Sequence, residues 1–292
     1  MRTGVENATR LMAERKRMKA RLRNVARAGV RSRRAADRPL IVAEGDSWFD
    51  YPYFDVLDAL EHSFGYEVQS AAHAGDTIEG MAYDPGQFNG FARMLDRLRG
   101  RDHPPAAILL SAGGNDVAGP TLAALLNDRA SPSPGVNRSV MEGVFDQRLR
   151  DALITLISTV SELCRFHFDR VLPVLIHGYD YSVPDGRGYS GGAWLLPGPW
   201  LEPHFRARGY PLLAERLASM KTLVDRFNAM AAGVAGGAGL AHVTYVDLRG
   251  TLSADTVAGR YKRSWANELH PTRSGFVEVA ARFDRALRAA GV

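Results

Sequence analysis

The stretch Ile41-Val42-Ala43-Glu44-Gly45-Asp46-Ser47-Trp48-Phe49 decides how the chain is read. An apolar run stops abruptly at Gly45-Asp46-Ser47. A strand ending in Gly-Asp leaves the next serine at a sheet edge with its side chain free. Open α/β sheets place their chemistry there, beyond the carboxyl ends of the strands. Gly, Asp and Ser are also ordinary turn formers. The stretch therefore gains weight only from what surrounds it.

Working outward, apolar runs at 40–44, 66–71, 106–111, 171–176 and 240–246 read as strands. The run at 106–111 is continuous, which suits burial on both faces. Helical spacing marks 54–64 (Phe54, Leu57, Leu60, Phe64), 88–98, 141–166, 213–227 and 276–287. Five strands alternating with helices predict an α/β fold, a five-stranded parallel sheet covered on both faces. Residues 128–139 read as a loop from their Ser, Pro and Gly. Residues 178–210 are rich in Gly, Pro and aromatics and too long for a plain connection, so they read as an inserted, substrate-covering loop. The glycine cluster 233–239 follows a helix and precedes a strand, the wrong order for a phosphate loop.

The net charge of +5 hides an asymmetry. Residues 1–38 hold 13 Lys/Arg against 3 Asp/Glu, a balance of +10, and the remainder holds 24 against 29, or −5. The expected division is a basic arm, amphipathic helix or disordered, over 1–38, then one catalytic-type domain over 39–292. Leu11, Met18, Leu22 and Val25 form a narrow helical stripe on the arm. Three uses compete: a solvated helix on its own domain, adhesion to an acidic membrane surface or partner, and nucleic-acid binding. The last is the weakest, because charge alone gives non-specific affinity and no binding motif accompanies it. The arm lacks the apolar segment and cleavage site of a secretory signal, and no run reaches membrane-spanning length. Cytoplasm is the expected address, with peripheral membrane association as a variant. The single cysteine, Cys164, excludes an internal disulfide and reads as a buried, inert thiol.

Three stretches accompany Gly45-Asp46-Ser47: Ala71-Ala72-His73-Ala74-Gly75-Asp76, Ser111-Ala112-Gly113-Gly114-Asn115-Asp116 and Asn267-Glu268-Leu269-His270-Pro271. Each follows an expected strand or precedes an expected helix. Together they resemble the four blocks of the SGNH (GDSL-type) hydrolases, over about residues 39 to 290. The resemblance implies a flavodoxin-like three-layer α/β/α fold with strand order 2-1-3-4-5. It also implies an acyl hydrolase of carboxylic esters: lipids, acetylated sugars or small acyl esters. By block matching, Ser47 attacks the carbonyl and His270 takes and returns the proton. A serine hydroxyl needs such a base. The tetrahedral oxyanion needs donors fixed in advance; these map onto the Ser47 and Gly75 backbone N–H groups and the Asn115 amide.

One departure matters. The family usually carries Asp three residues before the His, and here that slot is Asn267. An amide oxygen can accept the Nδ1–H of His270 and fix its tautomer, but it cannot stabilise an imidazolium by charge. The orienting group is therefore Asn267 or the adjacent Glu268, with Asp180 and Asp247 as more distant carboxylates. Gly188-Tyr189-Ser190-Gly191-Gly192 matches a nucleophile elbow, but lacks the strand before and helix after that the motif requires. No metal is expected, since His73, His177 and His242 have no ligand spacing, and no cofactor is implied. Trp48, Phe49, Tyr179 and Trp194 are the aromatics expected against substrate. The alternative to an esterase is a hydrolase-like body with weak or lost catalysis that binds a ligand or partner.

Overall fold

The structure, a computed structural model, describes residues 38–100, 104–189 and 198–292. Residues 1–37 of the basic arm, together with Ser190 and Trp194, lie outside the described residues. The strands in chain order are β1 (Leu40–Gly45), β2 (Glu67–Ser70), β3 (Ala107–Ser111), β4 (Leu126–Asn127), β5 (Gly135–Val136), β6 (Val174–His177) and β7 (Val243–Val246). The main sheet is parallel and runs β2-β1-β3-β6-β7. With the small β4–β5 pair set aside, this is the expected order.

Alternation along the strands builds two cores. Leu40, Val42, Ile108, Leu110, Val174 and Ile176 face one side. There they pack under helices Ile78–Tyr83, Pro85–Leu98, Arg150–Phe168 and Leu213–Ala235. Ile41, Ala43, Leu109 and Leu175 face the other, under Val56–Ala59 and Arg273–Ala289. Each large apolar side chain so buried contributes about 1.5–3 kcal/mol. Cys164 lies buried in the first of these layers. Among the described residues no helix is long and apolar enough to cross a membrane.

Several local expectations are revised. Residues 128–139 contain strand β5, which pairs with β4 just before them, and the helix expected from 141 starts at Arg138. Asn137 caps it, its side chain accepting the Val140 N–H at 3.1 Å. A π-helical stretch, Gly143–Leu149, then leads into Arg150–Phe168. The long 178–210 segment contains a helix, Glu202–Ala207.

The register aligns the carboxyl ends that carry the site: Ala43 opposite Ser70, Gly45 opposite Ser111, His177 opposite Val246. Gly45 makes this close pairing feasible. A Cβ there would lie 2.4 Å from the Ser111 carbonyl oxygen, and φ is +152°. Hydrogen bonds carry the pairing beyond the ends of the strands. The Asp46 N–H donates to Ser111 O at 2.9 Å, and the His73 N–H to Gly45 O at 2.8 Å.

Glu268 anchors the segment before and into helix Glu202–Ala207. Its carboxylate is fully buried and accepts the backbone N–H groups of Gly186 (2.9 Å), Trp200 (2.7 Å), Leu201 (2.8 Å) and Glu202 (3.0 Å). This corrects the expectation that Glu268 orients His270: both oxygens are turned to the loop and to the first turn of that helix. Asp180 and Asp247 are also engaged elsewhere. Asp180 accepts N–H groups of Tyr181, Gly250 and Leu252, and Asp247 pairs with Arg249. Replacing Glu268 by Ala leaves four donors without their acceptor. The expected loss of unfolding free energy is about 3–4 kcal/mol, read from urea denaturation, with Glu268→Gln losing clearly less.

Candidate active site

Ser47 sits in the turn that follows β1, half-buried. The turn is held by Asp46, which is 1% exposed. One Asp46 oxygen accepts the Trp48 N–H at 2.9 Å and the Ser111 hydroxyl at 2.7 Å. The other accepts the Tyr179 hydroxyl. Burial, followed by the Asp46 charge, pushes the Tyr179 phenol well above its usual range, so it stays a donor. A single carboxylate thus joins the ends of β1 and β3 to the segment after β6.

His270 approaches from the other side. It lies in the segment closed by a β-bridge joining Trp265 to Pro271, just ahead of helix Arg273–Ala289. Its Nε2 is 2.7 Å from Ser47 Oγ, and its Nδ1 is 3.0 Å from Asn267 Oδ1. The ring is 5% exposed. Tyr51 stacks on it at 4.3 Å, and Trp200 meets it edge-on at 5.5 Å. Burial alone drives its pKa down to about 3, since among the described residues no carboxylate faces it to offset the loss of water.

The Asn267 amide is locked in one orientation. Its Oδ1 also accepts the backbone N–H of Leu269 at 3.0 Å and of His270 at 2.9 Å. Its Nδ2 donates to the Tyr51 hydroxyl at 3.0 Å. Two backbone donors admit only the oxygen on that side, so an amide flip is excluded. The oxygen then requires the proton on His270 Nδ1. The Nε2 lone pair is left facing Ser47.

Gly75 and Asn115 lie on the same rim. Gly75 has φ +101° and open space where a Cβ would stand. Asn115 is the second residue of the short helix Gly114–Val117, and its amide donates one hydrogen to the Asp76 carbonyl at 2.9 Å. That bond fixes the amide plane beside Gly75 and leaves the second hydrogen to be directed elsewhere. Asp116 ties the helix down by accepting the Ile78 N–H at 2.9 Å, and burial pushes its carboxyl up to about 6. Gly113 must be glycine: φ is +115°, and a Cβ would meet the Phe227 ring at 2.2 Å.

Of the aromatics expected against substrate, Trp48 and Tyr179 line a cavity beside Ser47. Phe49 does not. It is 1% exposed, with its ring against His177 and Phe283 in the second core. Both rings, Trp48 and Phe49, pack in the same core against His177, but only Trp48 also reaches the cavity, which adjacency in sequence does not reveal. Trp194 lies outside the described residues. Sequence reasoning did not single out Tyr51 and Trp200 as partners of His270, nor Asp46 as the carboxylate that holds the turn. Among the described residues no group of three His, Cys, Asp or Glu side chains comes together as a metal site.

Solved structures with a similar course include a GDSL-like lipase from Bacteroides thetaiotaomicron (13% identity, 92% of this chain and 97% of that one, TM-score 0.41). Others are an inhibitor-bound aryl esterase from M. smegmatis (13%, 86% and 99%, 0.47) and a carbohydrate acetylesterase from Sinorhizobium meliloti (14%, 86% and 99%, 0.45). At these identities and scores they carry no statement about substrate. None of the curated proteins matches the chain. The family model described as GDSL-like Lipase/Acylhydrolase matches residues 26–283, most of the chain and all four motif blocks. The chain belongs to that family of hydrolases.

Proposed function

We propose that the protein hydrolyses carboxylic esters through an acyl-enzyme on Ser47. The observation that carries this is the line Ser47 Oγ, His270 Nε2, His270 Nδ1, Asn267 Oδ1, with separations of 2.7 and 3.0 Å at its two hydrogen bonds. Ser47 Oγ bonds to the carbonyl carbon as its proton passes to Nε2. The carbonyl oxygen becomes an oxyanion, met by the Ser47 and Gly75 N–H groups and the second hydrogen of the Asn115 amide. The C–O bond to the alcohol breaks, and Nε2 returns the proton to the departing oxygen. Water repeats the sequence on the acyl-enzyme and releases the acid. We assign this chemistry to the body over 39–292, although the family match begins within the basic arm.

Asn267 here acts by hydrogen bonding rather than by charge. In serine proteases, replacing the triad Asp by Asn costs about 10⁴ in turnover because it favours the wrong tautomer. That loss does not apply where backbone donors lock the amide oxygen toward the ring. What is lost is the charge, so His270 is a weak base that stays neutral far into acid.

Two outcomes follow. A fluorophosphonate is expected to add one label per chain, placed on Ser47 by peptide mass, with no label on Ser47→Ala. Labelling of Ser190 or no labelling at all contradicts the assignment, and the latter favours a binding module. The pH profile follows from the depressed His270 pKa. The base is neutral above its folded pKa, so kcat/KM on an aryl ester stays level from pH 8 down through 5, without a fall near 6.5. Asn267→Asp places a carboxylate beside the ring, and the acid limb rises by about 1–3 pH units while turnover rises roughly tenfold. An unchanged limb contradicts the charge argument.

A further inference from the structure

The cavity beside Ser47 is where the structure goes beyond an unspecified ester. Its volume is about 70 Å³, and Ser47 and Asn115 stand among its lining residues. Its apolar walls come from Leu122, Phe145, Leu201, Leu223, Val224 and Phe227, all nearly or fully buried. Its carboxylates, Asp46 and Asp180, already accept protein donors. Among its described lining residues there is no Lys, Arg or His.

The two halves of an ester face different surroundings here. The departing oxygen must lie within reach of His270 Nε2, which protonates it. His270 is not part of the cavity lining; it stands among Tyr51 and Trp200. The cavity takes in Ser47 and the Asn115 amide but not His270, so the acyl chain is the half of the ester that enters it. We propose, resting on the Ser47 reading above, that this cavity is a short-chain acyl pocket. It selects neutral acyl groups around butyryl over acetyl and over long fatty acyl chains.

Size sets the length. A cavity of about 70 Å³ is roughly half the ~150 Å³ of an apolar protein cavity that takes the six carbons of benzene. About three carbons beyond the carbonyl fill it. Charge sets the class: an anionic acyl group such as succinyl would meet two carboxylates and no cation. Each methylene that enters an apolar pocket raises kcat/KM about fourfold, so butyryl exceeds acetyl by about 15-fold.

The test is kcat/KM on p-nitrophenyl acetate, butyrate, hexanoate, octanoate and decanoate, and on the monosuccinate. The wild type is expected to peak at butyrate or hexanoate, fall by at least tenfold at decanoate, and disfavour the monosuccinate. Leu223→Ala enlarges the pocket and moves the peak about two carbons longer. Ala118→Leu, at another lining residue, fills it and moves the peak to acetate. The readout is peak position, so a lower rate does not obscure it. If Leu223→Ala fails to fold, Ala118→Leu decides. A profile flat or rising through decanoate overturns the pocket, as does a peak that neither folded variant moves. In those cases turnover abolished by Ser47→Ala keeps the esterase reading intact. Turnover that survives Ser47→Ala, or none on any ester, overturns that reading and the pocket with it.

Discussion

The buried carboxylate of Asp46 is the tie on which the site's geometry depends. It collects a backbone N–H from its own turn, the hydroxyl of Ser111 at the end of β3, and the hydroxyl of Tyr179 beyond β6. Parallel strands in register bring these groups to one edge, and Gly45 allows the ends of β1 and β3 to approach without a side chain between them. A charge in such a place is tolerated only when its lone pairs are filled. Filling them fixes the turn. Ser47, one residue on, inherits a position that its own contacts alone would not define.

The second half of the site is fixed by a neutral group. Three donors converge on Asn267 Oδ1, two of them backbone N–H groups that cannot rotate away. The amide gives His270 the same tautomer that a carboxylate would give. It supplies no charge, and a nearly dry ring then loses most of its affinity for a proton. Orientation and basicity, joined where a carboxylate occupies this slot, are separated here. Glu268, one residue away and carrying the charge, serves instead to hold the Trp200 and Glu202 backbone. Through Trp200, that clasp also forms one wall around His270.

The inner strands β1, β3 and β6 were legible because a strand buried on both faces must be a continuous apolar run. Ends were read better than beginnings. The expected fourth and fifth strands start three residues late: Val171 is 42% exposed, and pairing begins only at Val174 and Val243. Short helices such as Ile78–Tyr83 and Gly114–Val117 escaped because one or two turns carry too little periodicity. The motif blocks pointed to Ser47, Gly75, Asn115 and His270, and the fold brings Ser47 and His270 into contact across 223 residues of sequence. The choice between Asn267 and Glu268 was not legible. It is made by backbone donors from Gly186 and 200–202, whose approach no local pattern encodes. Phe49 and the cavity are of the same kind: adjacency suggests a pocket, while the side to which a ring turns is decided by tertiary packing.

The central claim is that Asn267 sets the His270 tautomer while leaving the ring uncharged. The direct measurement is the ¹⁵N NMR spectrum of the His270 ring in the histidine-labelled protein, followed against pH. The account predicts a protonated Nδ1 and a bare Nε2, unchanged from pH 8 to below 5. A proton on Nε2 at neutral pH, or a titration near 6.5, would contradict it.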